Sequence, residues 1–132
     1  MRVELQRERI VLLAEPIQAS VSGEDLRAAG VPKGRALAAF ALTQQRLVLH
    51  LMGEPLIDVT WDDGGARELE LEAAEDGVRI GFDAARFREG RSGHVVVLLR
   101  LPDAPAVVAA IEQRRRPLDP RRHVRDRPPG DG

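Results

Sequence analysis

The chain has 132 residues, of which 43% are hydrophobic and 31% charged, and its formal net charge is −1. This length and hydrophobic content fit one globular domain with a core of its own. The sequence has no cysteine, which excludes disulfide bonds, thiol catalysis and cysteine-based zinc sites. No stretch approaches the ~20 apolar residues of a membrane span, and the apolar run 10–14 is too short for a signal sequence. We therefore expect a cytoplasmic protein.

The two ends of the chain differ in charge. From Arg114 onward there are seven arginines against three aspartates, a balance of +4 that leaves −5 on residues 1–113. The end of the chain is rich in Arg, Asp, Pro and Gly and has little to bury, which predicts a disordered tail over 117–132. Residues 1–9 carry charges of both signs and are expected to form an N-terminal extension. The predicted domain is therefore 10–116.

The first predicted strand covers 10–21. It contains Pro16, which lacks a backbone N–H and therefore predicts a bulge or an edge within the strand. Residues 22–25, with the sequence SGED, are able to cap a short helix, and Gly30 is the residue type that ends one. We expect one helical turn that reaches Ala29.

The clearest local pattern is a β-hairpin over 36–52. If Thr43 and Arg46 face each other across Gln44 and Gln45, every facing apolar pair falls on one face of the sheet. The facing pairs are then Leu42 with Leu47, Phe40 with Leu49, and Ala38 with Leu51. Tight hairpin turns favour Asn-Gly or other glycine-containing pairs, and Gln-Gln breaks that rule. The sequence therefore favours this register with a looser turn.

Further strands and a helix are predicted downstream. The strands span 56–61, 67–72, 78–82 and 95–101, separated by turns and by a long mobile loop over 83–93. The helix has Asp103 as candidate N-cap and Pro105 in its first turn, and its apolar pattern ends at Pro117. About seven short strands and one C-terminal α-helix predict a mainly β protein. Its expected architecture is a small bent β-sandwich or barrel of about seven antiparallel strands, capped by the helix.

The hairpin also carries a family resemblance. Residues 40–49, with the sequence FALTQQRLVL, resemble the hairpin of bacterial PH-like and GRAM-like domains, in which a strand ends in Thr, turns, and resumes with Arg and an aliphatic residue. Residues 55–59 resemble the short fourth strand of that group, and 102–116 lie where its capping helix belongs. The resemblance covers about 10–116 and implies a PH-like fold. This helix departs from the group because it lacks a bulky aromatic residue.

The same resemblance implies a test for lipid binding. PH domains that hold a phosphoinositide have a basic residue at the end of strand one and a basic-x-basic pair at the start of strand two. Lys33 and Arg35 match the pair, whereas 16–19 contains no basic residue. The chain therefore has half of that motif.

Basic residues elsewhere are candidates for an anionic surface. The full set of candidate anion or lipid contacts is Lys33, Arg35, Arg86, Arg88, Arg91, Arg114, Arg115 and Arg116. An arginine-rich tail favours binding to nucleic acid or anionic membrane by counterion release. Its interspersed Asp and Pro residues and its lack of aromatic residues favour a solvating tail or a tether instead.

Trp61 is the candidate contact for a protein partner, since tryptophan is a common interface anchor. The alternative is a core or rim position in which the indole N–H reaches a backbone carbonyl.

The residue types of catalysis and metal binding form no recognisable motif. His50, His94 and His123 lie far apart and match no metal-ligand spacing. Ser92 is followed by Gly93 and His94, but the surrounding residues do not form a nucleophile elbow. We therefore expect no catalytic residues, no metal and no cofactor.

The predicted function is that of a non-enzymatic PH-like interaction module that binds a protein partner or a peptide through its loops, helix face or sheet edges. The first alternative is anionic-membrane binding through the arginine-rich tail and the loop 86–91. The second is nucleic-acid binding by the tail. An enzyme is a further alternative, and it would need a buried carboxylate or histidine with a strongly shifted pKa.

Overall fold

The computed structural model describes residues 9–115. The predicted disordered tail, Arg116 and most of the predicted N-terminal extension lie outside the described residues. The elements in chain order are β1 (Ile10–Gly23), α1 (Leu26–Ala29), β2 (Gly34–Thr43), β3 (Arg46–Leu51), β4 (Glu54–Thr60), α2 (Gly64–Arg67), β5 (Glu70–Ala74), β6 (Gly77–Asp83), a 3₁₀ turn (Ala84–Arg86), β7 (His94–Leu99) and α3 (Ala104–Arg115).

The seven strands form one antiparallel sheet in the order β4-β3-β2-β1-β7-β6-β5. The sheet curls into a half-barrel. Since β4 and β5 are the first and last strands in this order, they are its two edges. The predicted fold class is confirmed: the protein is mainly β, with one C-terminal helix, in an arrangement consistent with a PH-like fold.

The hairpin of β2 and β3 has the predicted register, with Leu42 opposite Leu47, Phe40 opposite Leu49 and Ala38 opposite Leu51. All six of these side chains are at most 3% exposed and belong to the main core. Ala41 and Val48 face each other on the opposite side of the same hairpin and are also buried. Both faces of this hairpin therefore carry buried apolar residues, which explains its near-continuous apolar sequence.

The turn of this hairpin is closed by a side chain. The hydroxyl Oγ1 of Thr43 accepts hydrogen bonds from the backbone N–H of Gln45, at 3.0 Å, and of Arg46, at 2.9 Å. A threonine hydroxyl that bonds the backbone a few residues ahead is a recognised way of making a turn without glycine. This explains how Gln-Gln occupies a position where Asn-Gly is usual.

The first strand and the first helix follow the sequence prediction. The pairing of β1 with β2 shifts register between Ala14 and Ile17, which confirms the bulge expected at Pro16. The side chain of Asp25 accepts a hydrogen bond from the backbone of Ala28 and caps α1. Gly30, at φ 75°, ends that helix in the left-handed conformation expected of glycine.

Three segments differ from their predicted structure, and one of them is the strand expected over 95–101, which is β7 and ends at Leu99. The alternating residues 67–72 were expected to form a strand throughout, but β5 begins only at Glu70. Asp63 accepts a hydrogen bond from the N–H of Gly65, at 2.7 Å, and starts the short helix α2 in place of the first part of that strand. The segment 83–93 contains a 3₁₀ turn, which Asp83 caps.

Helix α3 closes one opening of the half-barrel. Ala104, Val107 and Ile111 are its buried residues, and it packs on β5 and β6. The carbonyl of Asp103 accepts hydrogen bonds from Ala106 and Val107, so the helix starts where the sequence predicts. Aliphatic side chains at one-turn spacing are sufficient here to bury the helix face.

Candidate functional site

Three connections of the chain meet at one end of the sheet. They are α1 with the residues after it, the turn between β3 and β4, and the segment between β6 and β7. The N–H of Ser92 donates to the carbonyl of Ala28, and a guanidinium N–H of Arg88 donates to the carbonyl of Gly30, at 3.2 Å. These bonds hold the last connection against the first, and loops held together at one end of a sheet are common places for binding sites.

A cavity of about 350 Å³ lies between these connections, and we call it the loop-end cavity. Its apolar lining includes Val31, Met52 and Leu56, and its charged lining includes Glu54, Arg88 and Arg91. An apolar cavity with a few polar groups is the usual form of a binding site.

A second cavity of about 340 Å³ continues along strand β4, and we call it the β4 groove. It runs between residues 55–58 and the segment that contains Phe87 and Glu89. Both cavities are lined by Leu56, Arg88 and Arg91, so the two adjoin at these side chains. Together they form a depression between the three connections and the edge of the sheet.

The candidate basic residues separate into two groups by what they contact. Arg86 pairs with Glu68 at 2.7 Å, and Arg88 donates to the backbone carbonyls of Ala29 and Gly30. These two side chains are therefore already engaged in contacts within the domain.

Arg114 and Arg115 are similarly engaged at the end of α3. Arg115 pairs with Glu112 and donates to the backbone carbonyls of Ala66 and Leu69, both at 2.8 Å, while its side chain is 12% exposed. Arg114 donates to the carbonyl of Ala110. Arg115 therefore connects α3 to α2 and to the residue just before β5.

The second group of candidate basic residues consists of Lys33, Arg35 and Arg91. They are exposed, and within residues 9–115 their side chains make no ion pair or hydrogen bond. The guanidinium of Arg91 lies directly on Gly30, where a Cβ would come within 2.6 Å of Nε. Arg35 lines a third depression, shared with Met52 and Leu37. Arg91 is thus the exposed cation that lines both the loop-end cavity and the β4 groove.

Trp61 occupies the core position considered in the sequence analysis. Its side chain is 5% exposed, and its indole N–H donates to the carbonyl of Thr43 at 2.9 Å. The ring packs in the main core and offers little surface to a partner.

A depression of similar size on the outer face of β5, β6 and β7 has different chemistry. It lies over Gly81, and its two carboxylates already have partners: Arg79 pairs with Glu72 at 2.6 Å, and the imidazole of His94 lies 3.0 Å from Glu70. Because the polar groups there already contact each other, we do not place the functional site there.

Sequence patterns did not identify the apolar part of the site. Met52 lies at the tip of the β3–β4 turn at φ 53° and is 60% exposed, and Leu56 occupies a register shift in β4. The sequence signal for an exposed apolar residue was the methionine before glycine in the two-residue β3–β4 turn. Tight hairpin turns normally have polar residues, so an apolar one there is unusual.

The geometry also bears on metal binding and on membrane spans. Within the part of the chain that the structure covers, no group of three or more His, Asp or Glu side chains is placed to hold a metal ion. None of the helices in that part is long and apolar enough to cross a bilayer.

No protein-family model matches this chain, and no curated protein matches it significantly. Its function is therefore argued from the fold and the site.

Proposed function

We propose that this protein is a non-enzymatic PH-like interaction module that binds a peptide segment of a protein partner. The observation that carries the proposal is the depression formed by the adjoining loop-end cavity and β4 groove. Apolar side chains line it, an exposed guanidinium flanks it, and one side of it is the edge of a sheet. Shape and composition of this kind fit an extended chain better than a compact small molecule.

The balance of charge in the depression also supports a protein ligand. Arg88 and Arg91 are accompanied by Glu54, Asp58 and Glu89, so the lining carries both signs. A polyanion would be repelled by the carboxylates, whereas a peptide can match a mixed lining residue by residue. A cytoplasmic location remains part of this proposal, because a chain without cysteine needs no oxidising compartment.

The test is a selection of random dodecapeptides, displayed on phage, against the full chain. We expect enriched peptides whose affinity, measured by fluorescence anisotropy, falls at least tenfold in Met52→Asp. Met52 is exposed and in a backbone conformation that aspartate tolerates, so this change should leave the fold intact. Leu13→Asp is the matched control, since Leu13 is 46% exposed and lines neither cavity.

Two outcomes would contradict the proposal. One is that no peptide is enriched above the level of the uncoated support. The other is that enriched peptides bind Met52→Asp and Leu13→Asp equally well, which would place their site elsewhere.

An anionic membrane is the second candidate ligand, and a specific observation favours it. Met52 and Leu37 are 60% and 49% exposed, and they line one depression together with Arg35. Arg91 lies on the other side of Met52, in the loop-end cavity. Exposed apolar side chains flanked by cations are typical of surfaces that dock on anionic lipid.

Nucleic-acid binding by the tail is less well supported than binding to a peptide or to an anionic membrane. The arginines that would carry it lie mostly outside the described residues, and residues 1–113 carry a charge of −5. An acidic body opposes approach to a phosphate backbone.

A further inference from the structure

Strand β4 is a free edge of the sheet. It pairs with β3 on one side only, and within residues 9–115 no backbone hydrogen bond joins it to the segment 84–93 on the other side of the groove. The outward N–H and C=O groups of an edge strand can pair with an added chain. The β4 groove lies along this edge.

The usable part of that edge is short. Pro55 has no N–H to donate, and the register shift at Leu56 interrupts the regular ladder with β3. From Ile57 to Thr60 the pairing with β3 is regular, and Asp58 is held by Arg46 at 2.8 Å. An added strand can therefore pair with 57–60, about four residues, and must leave the ladder at Pro55.

The chain that leaves the ladder at Pro55 meets Arg91. Arg91 lines both the β4 groove and the loop-end cavity, and its guanidinium rests on Gly30. The neighbouring Arg88 is fixed by the carbonyls of Ala29 and Gly30, so it adds positive charge without being free to reorient. A carboxylate of the added chain next to Arg91 would form a charge-assisted, bidentate ion pair with its guanidinium.

We propose that β4 binds an extended peptide as an additional strand along 57–60, and that an acidic side chain of the peptide pairs with Arg91 next to that strand. The inference rests on the proposed function and names its ligand class: a short β-forming segment followed or preceded by Asp or Glu. Backbone pairing supplies the contact along the edge, and the carboxylate selects the peptide.

The experiment uses the full chain and the acidic peptide with the highest affinity from the dodecapeptide selection. We expect Arg91→Glu to weaken binding at least tenfold, and we expect a peptide whose acidic residue is replaced by Lys to regain affinity for this variant. Arg67→Glu is the matched control, because Arg67 is an exposed arginine on α2 that lines neither cavity. Hydrogen exchange should show slower exchange of amides within 57–60 when the peptide is bound.

The outcomes separate this inference from the proposed function. If selected peptides depend on Met52 but bind Arg91→Glu normally, or leave the exchange of 57–60 unchanged, strand addition is wrong and the interaction module stands. If the selected peptides carry no acidic residue, the inference is equally overturned. If no peptide is enriched at all, the proposed function fails and the inference fails with it.

Discussion

Thr43 shows how one side chain sets a local structure that its neighbours do not encode. Its hydroxyl accepts from two backbone N–H groups in the β2–β3 turn, its carbonyl accepts from the indole of Trp61, and the residue is fully buried. The same residue therefore closes the turn and anchors the largest side chain of the core. Sequence patterns predicted the register of this hairpin correctly, but they did not reveal the hydroxyl that closes its turn.

Thr43→Val should destabilise the protein by about 1 kcal/mol, because the part-buried backbone N–H groups of Gln45 and Arg46 lose their acceptor while the side-chain volume is nearly unchanged. Thr43→Ser keeps the hydroxyl and should retain most of the stability. The measurement is the free energy of unfolding from urea denaturation. Equal stabilities of the Val and Ser variants would show that the hydroxyl does not hold the turn.

Gly77 illustrates a close approach between backbones. A Cβ at this position would overlap the carbonyl oxygen of Leu99 on β7, whereas a Cβ at Gly64 would meet its nearest neighbour at 3.5 Å. We expect Gly77→Ala to cost about 2 kcal/mol or more, because backbone atoms cannot yield as a flexible side chain does. Gly64→Ala should be close to neutral in the same thermal unfolding measurement, and a tolerated Gly77→Ala would contradict this packing.

At the scale of the element, alternation predicted the strands β5 and β6, and the late start of β5 has a local cause. Residues 67–72 alternate strictly, yet β5 starts at Glu70 because Asp63 caps α2 immediately before it. A cap bonds the backbone directly and competes with the weaker preference of alternating residues for a strand. Leu69 is nevertheless buried, so the apolar residue keeps its position while the backbone changes.

Helix α3 packs on the sheet through few buried side chains, and Ile111 is the most deeply buried of them. Ile111 is 0% exposed, and Ile111→Ala should cost about 2–4 kcal/mol through lost burial and the cavity left behind. Ala109 is exposed, so Ala109→Ser is a matched substitution that should change stability by less than about 0.5 kcal/mol. Urea denaturation monitored by circular dichroism measures both. A small effect of Ile111→Ala would mean that the half-barrel does not need its helix.

At the scale of the whole molecule, the charge distribution decides between ligands. Residues 1–113 carry −5 and the arginine-rich remainder carries +4. If the ligand is a protein and not a membrane, the full chain should not float with anionic vesicles at about 0.15 M salt. At this salt concentration, the electrostatic attraction between the arginines and the lipid headgroups is screened beyond ~8 Å. Flotation with neutral and anionic liposomes, at low and moderate salt, measures this.

The control is a chain that ends at Arg116. Flotation of the full chain with anionic lipid alone, abolished by this truncation, would make the tail a membrane tether and lipid the primary partner. Flotation of both chains would instead assign the lipid contact to the domain, where Met52 and Arg35 are the exposed candidates.

The sequence by itself determined the elements whose signals are local: the hairpin register, the bulge at Pro16, the helix end at Gly30 and the start of α3. Each follows from periodicity or from one residue's backbone preference. It did not determine the site, because the residues that form it are distant in sequence: Arg88 bonds the carbonyl of Ala29 across 59 positions. Only the curling of the sheet brings these connections together and leaves β4 as an edge beside Arg91. The pairing of β1 with β7, which joins the two halves of the sheet, is a long-range contact, and no local pattern encodes it.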